Sequence, residues 1–154
     1  MGFYQFRQSQ QLKSSIEEVW DFISSPKNLK EITPDYMGFD ITTPSLPEKM
    51  HAGMIISYQV KPLLGIPTQW VTEITQVEDR KFFVDEQRVG PYAMWHHQHH
   101  ISERNGGVWM EDIISYRPPM GILGSVANKL VIESKLQEIF AYRTEVLDKK
   151  YNGK

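Results

Sequence analysis

The stretch that decides the fold runs Trp95-His96-His97-Gln98-His99-His100-Ile101-Ser102-Glu103-Arg104-Asn105-Gly106-Gly107-Val108-Trp109-Met110-Glu111-Asp112-Ile113-Ile114-Ser115-Tyr116. Asn105-Gly106 divides it. Asn-Gly marks a tight hairpin, because both central residues of a type I′ turn need positive φ. With these two residues at the turn, His99 faces Asp112, His97 faces Ile114 and Ile101 faces Met110. Alternate side chains of a strand share a face. Trp95, His97, His99 and Ile101 therefore look one way, together with Val108, Met110, Asp112, Ile114 and Tyr116. That face is apolar except for two imidazoles, one carboxylate and a phenol hydroxyl, which suits the wall of a buried cavity. His96, Gln98, His100 and Glu111 take the other face and suit solvent, with Trp109 and Ile113 interrupting them. A slip of one residue would undo the His99–Asp112 pairing.

The same period-two pattern extends toward the N-terminus. Strands are expected at about 3–12, 37–43, 53–61, 67–77, 81–89, 93–104 and 107–117. Turn-like separators divide the later ones at 44–51, 62–66, 78–80, 90–92 and 105–106. Between the first two strands the period becomes helical. Ser15 is a good N-cap, Glu18 completes a capping box, and Ile16, Val19, Trp20 and Ile23 form a stripe. Ser25-Pro26 opens a second short helix, and Pro34 ends it. Pro118-Pro119 breaks the last strand, and 121–147 reads as a long helix. Consecutive strands joined by short loops give an antiparallel meander, and the long helix is the element available to cover its apolar face. The expected fold is α+β: a seven-stranded, strongly curved antiparallel sheet around a C-terminal helix, with a cavity between them. Residues 1–154 read as a single domain.

Composition narrows the function. The chain has 154 residues, a formal net charge of −2 and no cysteine. The charge argues against a nucleic-acid binder, and the lack of cysteine excludes disulfides and thiolate chemistry. No apolar run is long enough to span a membrane, and Met1 to Ser15 lacks the apolar core of a signal peptide. We expect no stable membrane insertion and a cytoplasmic protein. There is no Gly-x-Ser-x-Gly, phosphate loop or dinucleotide fingerprint, and no cofactor is expected.

The element order resembles the helix-grip fold of the START-like (SRPBCC) superfamily over nearly the whole chain. A closer resemblance, to a bacterial ligand-binding branch related to polyketide cyclase/dehydratase-like proteins, rests on several motifs. These are Val19-Trp20-Asp21-Phe22, Ile32-Thr33-Pro34, Gly38-Phe39, Phe83-Val84-Asp85-Glu86-Gln87, Gly90-Pro91, Trp95-His96-His97-Gln98-His99 and Arg143. The resemblance implies an apolar or amphipathic small molecule (lipid, polyketide or aromatic-like) held between sheet and helix. It also implies that hairpin loops frame the entrance. One scaffold carries many functions, so two alternatives stand beside this one. The first is a cyclase- or dehydratase-type lyase or isomerase using a His/Asp acid–base pair. The second is an interaction module whose cavity is filled by its own side chains.

Candidate site residues follow from the faces. Residues 81–89 read either with Phe83, Asp85 and Gln87 inward or with Phe82, Val84, Glu86 and Arg88 inward, and the resemblance favours the first set. A buried Asp85 then needs a donor, either Arg143 or a histidine, and an ion pair fixing sheet to helix is the expected use. For His97 and His99 three readings compete: internal satisfaction by Asp112, Gln87 or backbone; anchoring the polar end of a ligand; or chemistry. Proton-transfer candidates are His99, Asp112 and Asp85. His97 and His99 are weak metal candidates, because a third inward ligand is not obvious and His51 lies at the far end. Tyr58, Trp70, Gln87, Tyr92, Trp95, His97, His99, Asp112 and Tyr116 are expected to line the pocket.

Hairpin turns alternate between the ends of a meander, so loops 62–66, 90–92 and 118–122 share one end. They are apolar for loops: Leu63, Leu64, Ile66, Tyr92 and Leu123 are expected at the mouth. An apolar rim also suits a homodimer contact. The long helix shows one irregularity. Leu123, Val126, Ala127, Leu130 and Val131 form one stripe, while Ile132, Leu136, Ile139, Phe140, Val146 and Leu147 form another on the opposite side. A kink near 132–134, a second apolar neighbour for the first half, or a later helix start would each account for the swap.

Overall fold

The computed structural model describes residues 2–62, 65–119, 126 and 131–153. Strand β1 (Tyr4–Leu12) leads into helix α1 (Ile16–Ile23). Two 3-10 turns follow, Pro26–Lys30 and Asp35–Met37. Six strands come next: β2 (Asp40–Ile41), β3 (Ile55–Val60), β4 (Thr68–Glu78), β5 (Phe82–Val89), β6 (Met94–Arg104) and β7 (Gly107–Arg117). Helix α2 (Glu133–Leu147) and a π-helical turn, Asp148–Asn152, close the chain. All strands pair antiparallel in the order β1-β7-β6-β5-β4-β3-β2. The meander thus folds back until its last strand lies beside its first, and the curled sheet with α2 against it is the expected helix-grip fold.

Local chemistry explains the elements. Ser15 caps α1 by accepting a hydrogen bond from the Glu18 backbone N–H at 3.2 Å. Asn105 (φ 53°) and Gly106 (φ 73°) supply the two positive φ angles of the β6–β7 turn, which fixes the register from Arg104–Gly107 to Met94–Arg117. The second short helix is a 3-10 turn, not an α-helix. The Asn28 and Glu31 N–H groups donate three residues back, to Ser25 O and Asn28 O, which is the 3-10 pattern. Expected strand 37–43 shrinks to Asp40–Ile41, because Met37 is in the second 3-10 turn and the Thr42 and Thr43 N–H groups both donate to Ser57 O.

The core divides into three clusters. Leu12, Val19, Trp20, Ile56, Ile74, Phe83, Val108, Met110 and Leu147 pack one end solidly, with Tyr151 of the π-helical turn. At the other end Ile114, Tyr116, Ile132, Leu136 and Phe140 form a second cluster, and Phe39, Val60 and Trp70 a third. Burying this apolar surface, at roughly 25 cal/mol per Å², drives the sheet to wrap α2. Of the long-helix expectation, 121–125 and 127–130 lie outside the described residues. Val131 and Ile132 have π-helical geometry ahead of Glu133. One inserted residue turns the apolar face by about 100°, which supplies a physical cause for the swap of stripes at Ile132.

Candidate functional site: a buried Asp–His–His–Asp–Arg cluster at the end of a cavity

The site begins with the register. The β6–β7 turn sets His99 opposite Asp112, and β5 sets Asp85 opposite His97 and Phe83 opposite His99. Three neighbouring strands thus aim four polar side chains at one spot. Helix α2 adds the fifth. Leu136, Ile139, Phe140 and Arg143 recur at helical spacing, so Arg143 emerges on the apolar face one turn beyond Phe140. Its guanidinium lies 4.7 Å from the Phe140 ring centre.

Asp112 is 2% exposed and one of its oxygens, Oδ1, collects three donors. His97 Nε2 lies 2.8 Å away, His99 Nδ1 3.0 Å and Arg143 Nη1 3.0 Å. Asp85 holds the other side: its Oδ2 is 2.7 Å from His99 Nε2 and 3.6 Å from His97 Nδ1. The two imidazoles lie 3.7 Å apart between ring centres, tilted by 34°, and Phe83 stacks on His99 at 4.0 Å.

Burial separates the protonation of the two rings. Desolvation and the neighbouring His99 push His97 down to about 4, so it is a neutral imidazole near pH 7. Desolvation also acts against charge on His99, but its hydrogen bonds to Asp112 and Asp85 outweigh burial and the net shift is upward. Desolvation would raise Asp112. Arg143 and the two histidines overcome it and hold that carboxyl well below its usual range. Asp85 is likewise lowered, the His99 hydrogen bond and the histidine charges overriding burial. Two carboxylates are thereby balanced by Arg143 and a protonated His99, as a buried cluster requires.

The cluster closes one side of a cavity of about 140 Å³ between the sheet and α2. Tyr58, Trp70, Tyr92, Trp95, His97, His99 and Asp85 line it, as the sequence leads one to expect for the first six, and Lys135 stands at its rim. Trp70 is the hub of the aromatic wall, stacked on Tyr58 and edge-on to Tyr92 and Trp95. Thr72 Oγ1 fixes this wall from behind, within 3.0 Å of Tyr58 Oη and 3.1 Å of Trp70 Nε1. Burial and the Asp85 charge push the Tyr58 phenol up, and burial does the same to Tyr92.

Four expectations change. Gln87 is not in the wall: its Nε2 donates to Tyr92 O at 2.8 Å and its Oε1 accepts from Tyr92 N–H at 3.1 Å, so its amide braces the 90–92 loop. Gly90 makes room for that brace, since a Cβ there would overlap the Gln87 amide. Asp112 and Tyr116 lie behind the wall, Asp112 beneath the histidines and Tyr116 packed against Tyr4, Tyr92 and Trp95. Ile66 is 60% exposed and does not line the cavity. The ion pair joining sheet to helix is Asp112–Arg143, not Asp85–Arg143, because the register places Asp85 on the side of the histidines away from the guanidinium. Leu63, Leu64 and Leu123 lie outside the described residues.

Sequence reasoning missed Phe39, Ile56, Thr72, Phe83, Leu136, Ile139 and Phe140 as wall residues. A signal existed for several: Thr72 alternates with Trp70 and Ile74 on β4, and Leu136, Ile139 and Phe140 belong to one helical stripe. Of the two donors the sequence offered Asp85, Arg143 or a histidine, the structure gives the histidine, and in fact places both rings beside it; alternation alone gives the face of a strand and not its register against a neighbour.

A curled seven-stranded antiparallel sheet gripping a C-terminal helix, with a polar cluster in the groove, defines a helix-grip protein. No protein-family model matches the chain, and no curated protein does. Solved structures do. TTHA0849 from Thermus thermophilus superposes with a TM-score of 0.69 at 14% identity, over 95% of both chains. Ginseng major latex-like protein 151 from Panax ginseng gives 0.67 at 9% identity over 97% of both chains. Ara h 8.0201 gives 0.61 at 11% identity, covering 95% of this chain and 98% of that one. At these identities the likeness is one of fold. Among the described residues no helix is long and apolar enough to cross a membrane.

Proposed function

We propose that the protein encloses an apolar or amphipathic small molecule between the sheet and α2. The observation that carries this reading is the cavity's division of labour. Its wall is largely aromatic and aliphatic, while Asp85, His97, His99 and Arg143 gather on one side. Pockets that take amphipathic ligands have this composition, the apolar surface giving affinity and few polar groups giving orientation. The ligand's apolar body lies against Tyr58, Trp70, Tyr92 and Trp95, and its polar end meets His97 and Asp85. The open space counts against an interaction module with a filled cavity.

Native mass spectrometry of the gently purified chain, with and without added anilinonaphthalene sulfonate, tests this. The unaltered chain should carry a discrete adduct of a co-purified molecule or of the probe, and Ile139→Trp, which fills the cavity from α2, should carry neither. A chain that stays bare in both conditions, or an Ile139→Trp variant that binds equally well, overturns the proposal.

A second reading, proton transfer of the cyclase or dehydratase kind, is favoured by one observation. A neutral His97 faces the cavity with its Nε2 held on Asp112, the arrangement of an oriented general base. A rate on a cyclisable polyketide that follows a bell-shaped pH profile, and vanishes in His97→Gln, would support it. Binding without turnover would leave the enclosure reading alone.

A further inference from the structure

Each histidine of the cluster turns one nitrogen toward Asp112 and the other toward Asp85. His97 presents Nε2 to Asp112 at 2.8 Å and Nδ1 toward Asp85; His99 presents Nδ1 to Asp112 at 3.0 Å and Nε2 to Asp85 at 2.7 Å. The inward set, His97 Nδ1, His99 Nε2 and an Asp85 oxygen, lies within 4.8 Å of one another. We propose that these three atoms form a binding site for one divalent first-row transition metal, of which zinc is the type, with its remaining position open to the cavity.

Two features beyond the clustering of donors point this way. The first is spacing. Ligands of a tetrahedral zinc at about 2.0–2.1 Å stand roughly 3.3 Å apart. The Asp85 oxygen is 2.7 Å from one histidine nitrogen and 3.6 Å from the other, distances that bracket this spacing. The second is the outer partner. Metal-bound histidines characteristically donate their other N–H to a carboxylate, which fixes tautomer and ring orientation. Here a single buried carboxylate, Asp112, does this for both rings, and Arg143 holds it at 3.0 Å.

Charge balances. The metal enters as the proton on His99 Nε2 leaves, while His99 keeps its Nδ1–H on Asp112. The cluster then carries one positive charge more than before, which an anionic oxygen at the open position neutralises. The site accordingly selects for ligands that end in a carboxylate, enolate or phenolate, with the apolar remainder along the aromatic wall. Two histidines and one carboxylate with open positions suit zinc or ferrous iron. Sequence alone left the metal reading without a third ligand; the β5–β6 register supplies it in Asp85.

Zinc alone tests the proposal. Chelator-stripped protein is equilibrated with zinc, and bound metal is measured by elemental analysis and by competition with a chromophoric chelator. One zinc per chain is expected. Asp85→Asn and His97→Ala should each weaken it by more than the about 10- to 100-fold that loss of an outer partner costs. His100→Ala, on the opposite face of the same strand, should bind as the unaltered chain does. Less than stoichiometric zinc, equal affinity in the two ligand variants, or loss in His100→Ala overturns the site. Should the ligand variants fail to fold, cobalt in the unaltered protein decides: an intense four- or five-coordinate visible spectrum supports the site, and a pale six-coordinate one overturns it. Zinc binding and uptake of anilinonaphthalene sulfonate are read separately, so the metal site and the enclosure reading stand or fall independently.

Discussion

Strand β6 carries His96, His97, His99 and His100 on one backbone, and the two faces of the sheet treat them differently. On the outer face His96 Nδ1 pairs with Glu86 at 2.7 Å, and His100 Nε2 lies 2.9 Å from Gln98 Oε1. Both rings are half-buried and water reaches their partners. On the inner face His97 and His99 are 5% and 6% exposed, and the groups opposite them are the buried Asp112 and the partly buried Asp85. There burial makes protonation a packing matter. One ring is driven neutral and the other is held charged, although they touch. The lesson is that residue type sets what a strand can do and burial selects which of those things it does.

The sharpest way to break the comparison is to remove the acid beneath the inner pair. Asp112→Ala leaves Arg143, His97 and His99 without their shared acceptor, and should cost about 3–5 kcal/mol of unfolding free energy, measured by urea denaturation. A loss no larger than that of an outer-face variant would erase the distinction.

Next in size is the response to acid. Unfolded His97 takes its proton near pH 6.5, while the folded ring takes one only near 4. Between those values the unfolded chain binds more protons, so stability must fall as pH drops from 6.5 to 4, by on the order of 1–3 kcal/mol. The contribution of His99 is constant over that window, because its folded value is raised and its stabilisation is lost only on going alkaline. Asp85 and Asp112, both lowered, act below the unfolded carboxylate value. His97→Gln should flatten the limb; an unchanged slope would assign it elsewhere.

Nitrogen-15 NMR of the rings sharpens the same contrast without altering the protein. At pH 6.5 His99 should show both nitrogens protonated and His97 a neutral ring with its proton on Nε2. The smallest effect belongs to the outer face, where Glu86→Ala should shift stability by less than about 1 kcal/mol.

Much of this was legible in the chain. Asn105-Gly106 fixed the β6–β7 register and with it the His99–Asp112 pair, since hairpin pairing follows from the turn alone. The Leu136–Phe140 stripe announced the helix face. Asp85 was harder, because its pairing with the histidines depends on the β5–β6 register, and alternation gives only the face of a strand. Gln87 was misassigned for a related reason. Its strand stops pairing with β6 after Glu86, so its amide turns to the nearest loop, and no periodicity reports that choice. Arg143 was named as a donor for Asp85, but which carboxylate it would reach depended on how α2 crosses the sheet.

The brace between Gln87 and Tyr92 carries a consequence for redesign. Its two hydrogen bonds need an amide at 87, a loop of this length before 92 and, at 90, a residue with no side chain. A variant that changes 90 alone displaces the amide, and one that changes 87 alone frees the loop that seats an aromatic of the wall. The three positions are therefore physically coupled, and reshaping the threshold of this cavity means exchanging the set together.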